Sequence, residues 1–175
     1  MFVNMIVAYS NNNGIGLNNA LPWKISSDLK KFKNLTVGNK NNAIIMGKNT
    51  WLSLNKSLPM RDNLILTTTL EVDSKDSDNN IAKSFKNEFL LKEFLKNKQY
   101  DELWVIGGEN IYDLFLNKTN IFNVNKIHIT YIDEEFNCDR FFPQLDQEKF
   151  SFTSKSMHLP INEGRTIYDI IYTKN

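Results

Sequence analysis

The sequence predicts an α/β protein built on a mainly parallel sheet that closes with an antiparallel hairpin. Three observations carry this. Short apolar runs alternate along the chain with helix-like segments, the order expected of strands joined by right-handed helical crossovers. Several early runs are nearly continuous in apolar residues, as in strands covered on both faces. The last two runs alternate more and share one loop, the signature of a hairpin.

The first strand is expected over Val3 to Tyr9. Gly14-Ile15-Gly16-Leu17-Asn18-Asn19-Ala20-Leu21-Pro22-Trp23-Lys24 follows as a loop, because Gly and Asn tolerate positive φ and Pro ends regular pairing. Its Ile15, Leu21 and Trp23 seek cover, so it reads as a lid over a small-molecule site. A helix is expected over Ser27 to Leu35, with Ser26 or Ser27 as its N-cap. Strands then fall at Ala43 to Met46, Asn63 to Thr67, Glu102 to Ile106 and Lys126 to Ile132. Helices fall at Asn49 to Leu54, Glu88 to Leu95 and Asn110 to Leu116. Glu71 to Asn80 is polar and reads as a surface loop. Phe150 to Met157 and Thr166 to Tyr172 form the closing pair, joined through 158–165. Neither a repeat nor a linker interrupts the chain, so residues 1–175 are expected to form one domain.

Composition narrows the function classes. With 21 basic against 20 acidic side chains, the net charge of +1 gives no electrostatic reason to expect nucleic acid or a membrane surface as partner. One cysteine and two histidines argue against an internal disulfide and against a structural zinc site, so no metal is expected. Met1 to Ser10 is too short to span a membrane and has no basic leader, which points to the cytoplasm. Only three of the 21 basic residues are arginine, so each arginine merits separate attention.

Four positions carry chemistry. Asp28 shares a helix face with Leu29, Phe32 and Leu35, while Lys30, Lys31 and Lys33 point elsewhere. A carboxylate on an apolar stripe is costly unless something pairs with it, and a ligand bearing amino groups could do so; the plainer reading is an acid placed at a helix start. Ile106-Gly107-Gly108 joins a strand to a helix, where glycines allow close approach and free N–H groups face a phosphate; the plainer reading is a tight turn. Met46-Gly47-Lys48-Asn49-Thr50-Trp51 repeats that junction with a cation, beside Thr67-Thr68 at the next strand end. This suits a phosphate monoester, although Lys48 could equally be solvated and Thr50 a cap. Arg61 follows Leu58-Pro59-Met60, and its planar fork matches a carboxylate.

Order and spacing together are more specific than any one of these. GlyIleGly-x-x-x-x-LeuProTrp with Asp28 five residues on, IleMetGlyLys-x-ThrTrp, LeuPro-x-Arg, IleGlyGly-x-x-x-Tyr, IleThrTyrIleAsp and AspArgPhePhePro resemble dihydrofolate reductase over nearly the whole chain. The resemblance implies a central eight-stranded, mostly parallel sheet flanked by four helices, and NADPH-dependent reduction of dihydrofolate. It implies that Asp28 pairs with the pterin N3 and 2-amino group and promotes protonation at N5 while hydride reaches C6. Thr130 matches the hydroxyl that bonds this acid, and Trp23 the residue that holds an ordered water. Leu29, Phe32, Leu54 and Leu58 would sandwich the substrate rings, with Ile6, Ala8 and Ile106 beside them, and Arg61 would grip the glutamate α-carboxylate.

The implied cofactor site has three parts. Ala8, Ile15, Gly16 and Leu21 come from the first strand and the lid. Gly47, Lys48, Asn49, Thr50, Thr67, Thr68 and Lys83 come from the middle strands. Ile106, Gly107, Gly108, Glu109, Asn110, Ile111 and Tyr112 complete it, with a cis peptide expected between Gly107 and Gly108. Lys48 stands where the family often has arginine, and Glu109 occupies a slot that is usually small. A monomer is expected. Two other readings are a pyrimidine reductase of riboflavin synthesis and a non-catalytic nucleotide-binding module. The first would not require the Trp23–Asp28 pair or Arg61, and the second would not require a buried acid under an apolar lid.

Overall fold

The structure is a computed structural model that describes residues 1–158 and 164–175. Strand β1 (Phe2–Ser10) lies inside a nine-stranded sheet, hydrogen-bonded on both sides by strands that come much later in the chain. The elements that follow are β2 (Gly14–Gly16), α1 (Ser26–Val37), β3 (Ala43–Gly47), α2 (Lys48–Ser53), β4 (Asp62–Leu66), β5 (Asp73–Lys75) and β6 (Ile81–Phe85). Then come α3 (Glu88–Leu95), β7 (Leu103–Gly107), α4 (Glu109–Asp113), β8 (Asn123–Ile132), β9 (Arg140–Phe141), β10 (Phe150–Met157) and β11 (Ile167–Lys174).

The sheet order is β10-β11-β8-β1-β7-β3-β4-β6-β5. The six strands from β8 to β6 run parallel, and antiparallel strands close both edges. β3 is buried along its whole length, as its unbroken Ala-Ile-Ile-Met-Gly run requires. Helices cover both faces with separate apolar clusters. One gathers Met5, Ile45, Val105 and Leu91; the other gathers Ile6, Ile44, Met46 and Trp104 with Phe32, Leu54 and Leu58 packed on it.

Nine strands stand where eight were expected, because Glu71 to Asn80 is not wholly loop: Asp73–Lys75 adds an exposed edge strand to β6. β6 itself is too mixed, with Lys83 and Ser84 in its centre, to read as an apolar run. The Ser cap of α1 is also absent. Ile25 occupies the N-cap without a side-chain bond, and Ser27 Oγ meets His158 Nε2 at 2.8 Å instead. The last predicted helix ends early and widens into a π-helical turn over Leu114–Lys118, with Thr119 N–H bonding Leu114 O at 2.9 Å. Of the loop expected over 158–165, residues 159–163 lie outside the described residues. Among the described residues no helix is long and apolar enough to cross a membrane.

Candidate active site

A cleft of about 730 Å³ opens at the carboxyl ends of the parallel strands, bounded by α1, α2, α4 and the lid. Carboxyl ends are where open parallel sheets place their ligands, because the connecting loops diverge there. Ile6 and Ala8 of β1 and Ile106 of β7 form part of its lining, and Ile15, Gly16 and Leu21 of the lid face it. The lid is tethered by a two-stranded sheet, β2 with β9, and by Asp139, whose N–H bonds Gly16 O and whose carboxylate accepts from Asn18 N–H.

Asp28 enters the cleft from the first turn of α1, with Leu29 and Phe32 beside it and Leu54 of the α2 end completing an apolar wall. Leu29 is 51% exposed and Leu21 likewise 51%, so both present bare apolar surface to the cleft. Thr130 of β8 donates its hydroxyl to Asp28 Oδ1 at 2.6 Å. Burial lifts the Asp28 carboxyl above the ordinary carboxylate range; the Thr130 bond and the charge of Lys31 pull the other way without cancelling it. Lys31 thus does not point away from Asp28. It lies one turn along the same helix and donates to Thr130 Oγ1 at 2.9 Å. The i, i+3 spacing was the sequence signal for this.

Trp23 lies behind the wall, 6% exposed and edge-on to Phe136 at 5.2 Å. Its Nε1 is a buried donor without a partner among the described residues, so it suits an acceptor brought from outside the chain. Arg61 sits beside the cleft, not on its wall. Its Nε donates to Pro59 O at 3.1 Å, its Nη1 donates to Thr36 Oγ1, and its guanidinium lies 5.8 Å from the Phe32 ring centre. No ion pair involving Arg61 forms among the described residues. Leu58, partly buried, packs with Phe32 and Leu54 and does not reach the cleft wall.

The other end of the cleft suits a dinucleotide. Gly47 and Gly108 are the N-caps of α2 and α4, and neither helix start is capped by a side chain. A Cβ on Gly47 would come within 2.8 Å of Ile111 Cγ1, and one on Gly107 within 3.0 Å of the Tyr112 ring. Only glycine lets the two strand ends approach α4 this closely. The Gly107–Gly108 peptide is cis. Tyr112 anchors the junction by donating its hydroxyl to Ile6 O at 2.8 Å. Lys48, Asn49 and Thr50 face Thr67, Thr68 and Thr69 across this end, with Lys48 Nζ bonded to Thr69 Oγ1 at 2.9 Å. Asn110 and Ile111 line the α4 side.

Glu109 also lines the cleft, but its charge is answered: Oε1 accepts from Phe141 N–H at 3.4 Å, and Oε2 lies 3.9 Å from Arg140 Nε. Lys83 is not brought to the cleft; its Nζ pairs with Asp73 on the β5 edge at 2.6 Å. The structure adds residues to the expected lining, among them Thr69, Asp139 and Arg140. The AspArgPhePhePro motif was the available signal for the last two, although it gave them no role.

Fold and cleft define an α/β enzyme whose site lies at the carboxyl ends of a parallel sheet, with an acid at one end and a glycine-lined cradle at the other. Comparison with known proteins makes this specific. The sequence profile of the dihydrofolate reductase family matches residues 2–174. Dihydrofolate reductase of Sus scrofa is 35% identical over 90% of this chain and 88% of its own, and that of Staphylococcus haemolyticus is 34% identical over 97% and 92%. A bifunctional dihydrofolate reductase-thymidylate synthase of Daucus carota is 35% identical over 92% of this chain and 32% of its own. The chain belongs to the dihydrofolate reductase family and is an oxidoreductase.

Proposed function

We propose that the protein reduces 7,8-dihydrofolate to 5,6,7,8-tetrahydrofolate with NADPH, in the cytoplasm and as a monomer, supporting one-carbon and thymidylate metabolism. The observation that carries this reading is the half-buried Asp28 carboxyl, bonded to Thr130 at the apolar end of a cleft whose other end is lined by glycine and threonine. NADPH, when bound, supplies hydride to C6.

The chain's own residues do the rest. Asp28 accepts the adjacent N3 and 2-amino donors of the pterin, a geometry that one carboxylate satisfies and an amide cannot. Its negative charge favours the protonated ring and so promotes protonation at N5. Trp23 Nε1 offers a donor to a water on the proton's route. Leu29, Phe32, Leu54 and Leu58 exclude solvent around the rings, with Ile6, Ala8 and Ile106 beneath. Arg61 is a buried cation with no carboxylate partner among the described residues, matched to the α-carboxylate of the glutamate tail. Ile15, Gly16 and Leu21 cover the nicotinamide. Gly47, Gly107, Gly108, Asn110, Ile111 and Tyr112 shape the pyrophosphate cradle, and Lys48, Asn49, Thr50, Thr67 and Thr68 receive the 2′-phosphate end. Arg140 offsets Glu109 there.

The decisive experiment follows absorbance as NADPH is mixed with purified protein, before and after dihydrofolate is added. Oxidation is expected only after addition, and no turnover anywhere between about pH 5 and 9, where a tuned acid titrates, would end this reading. Lys48 supplies a second expectation. Replacing it with Ala should lower the preference for NADPH over NADH by roughly tenfold in kcat/KM, the effect of one lost charged hydrogen bond. A wild type that uses both cofactors equally would remove the 2′-phosphate site from the proposal.

A further inference from the structure

Behind the acid, away from the cleft, lies a chain of polar and charged groups from α1, β8, β11 and the residue after β10. Lys31 of α1 donates to Thr130 Oγ1 at 2.9 Å and pairs with Asp169 Oδ1 of β11 at 2.5 Å. Asp169 is held in turn by His158, just past β10, whose Nδ1 lies 3.0 Å from both carboxylate oxygens. His158 is 3% exposed, and its Nε2 contacts Ser27 Oγ at 2.8 Å, one residue before Asp28. Thr130 and Asp169 are direct cross-strand partners in the β8–β11 pairing, so their side chains emerge on the same face.

We propose that Lys31 is a positioning residue for the substrate acid: its donation to Thr130 Oγ1 leaves the single Thr130 proton directed at Asp28 Oδ1, and Asp169 with His158 holds Lys31 in place. An ammonium only donates, and a hydroxyl has one proton and two acceptor sites. With one acceptor site of Thr130 taken by Lys31, its proton is left for Asp28 Oδ1 at 2.6 Å, a bond strongest when the carboxylate is ionised. Were Asp28 protonated and donating to Thr130, the hydroxyl proton would have to leave this line. The relay therefore favours the ionised acid, against the burial that opposes it.

The groups facing this relay are few. Lys31 faces Thr130, Asp169 and the half-buried His128 of β8, whose imidazole burial and the charges of Lys31 and Lys126 hold down to about 4, so it stays neutral at pH 7. Asp28 also feels His158, Asp169 and the buried Tyr112 phenol. Lys31 reaches Asp28 through Thr130.

The inference rests on Asp28 as the substrate acid, and its test does not use turnover. The Asp28 carboxyl is titrated by ¹³C NMR in the ligand-free protein. Lys31→Met is expected to raise the Asp28 midpoint by about one pH unit, the usual reach of one nearby opposite charge, while Lys31→Arg leaves it within about 0.3 unit by keeping charge and donors. In a Thr130→Val background the Lys31→Met shift should fall by more than half, as expected for coupled neighbours. An unmoved midpoint in Lys31→Met overturns the proposal, and an equal shift in both backgrounds overturns the role of Thr130. Lys31→Gln serves the same test should Lys31→Met fail to fold. Failure of dihydrofolate reduction with the midpoint shifting as expected would overturn the proposed function and leave the relay standing.

Discussion

Asp28→Asn is expected to slow hydride transfer to dihydrofolate by roughly 100-fold or more at neutral pH, the scale of one positioned proton-transfer group, and to regain rate as the pH falls. The amide keeps the shape of the side chain and can still accept from Thr130, so the fold and NADPH binding should be unchanged. What it loses is the charge that favours a protonated ring, which leaves protonation to the solvent. Diaminopyrimidine antifolates, which carry that proton when bound, should bind much more weakly because their counter-ion is gone. Single-turnover rates against pH for both proteins decide the matter. Equal rates with equal profiles would reduce Asp28 to a helix-start residue.

The same substitution carries a stability expectation of opposite sign. Burial raises the Asp28 pKa in the folded state, so the folded protein holds this proton more tightly than the unfolded chain. Stability contributed at this position is therefore full below the unfolded pKa and is lost as pH rises through the folded one. Ligand-free Asp28→Asn should melt at or above the wild-type temperature at pH 8, and any advantage should vanish toward pH 4. A lower melting temperature at pH 8 would show that the relay behind Asp28 outweighs its burial.

Arg61→Leu is expected to weaken dihydrofolate binding by about 2 kcal/mol or more, tens-fold in affinity, while NADPH binding stays within about twofold. Arg61 is only 3% exposed, and burial brings its guanidinium down to about 10, still fully charged at neutral pH. A cation so placed needs compensation, yet its partners in the protein are neutral oxygens of Pro59 and Thr36. Thr36 keeps a bond of its own, donating to Phe32 O at 2.7 Å, so leucine strands little. Calorimetric titration of each ligand separates the outcomes. Equal losses for both ligands would mean that Arg61 braces the fold instead of gripping the substrate.

The central strands were legible because burial on both faces demands apolar runs: β3 and β7 are unbroken, and β4 carries Leu64-Ile65-Leu66 after two polar residues. β6 was not, since two of its five residues are Lys83 and Ser84, tolerated beside the short β5 edge. β2 and β9 are three and two residues long, below the length at which periodicity registers. Within the site, Asp28 and the two glycine junctions were visible as local patterns. Helical spacing alone does not show that Lys31 turns toward Thr130, nor that Asp169 and, behind it, His158 await it there. The β8–β11 register sets Asp169 beside Thr130, and His158 N–H to Ile167 O sets the imidazole against Asp169; register is set by tertiary packing, not by neighbours in sequence.

β1 pairs with β7 and β8, whose first residues are Leu103 and Asn123. As the chain emerges from the ribosome, this strand has no sheet neighbour until Leu103 and the residues after it have been made. Meanwhile its Val3, Met5, Ile6 and Val7, all buried at the end, remain available to other chains. Such long-range parallel pairing is slow to form and exposed to aggregation while it waits. Yield on expression should thus respond to chaperone supply and growth temperature more than the final stability would indicate.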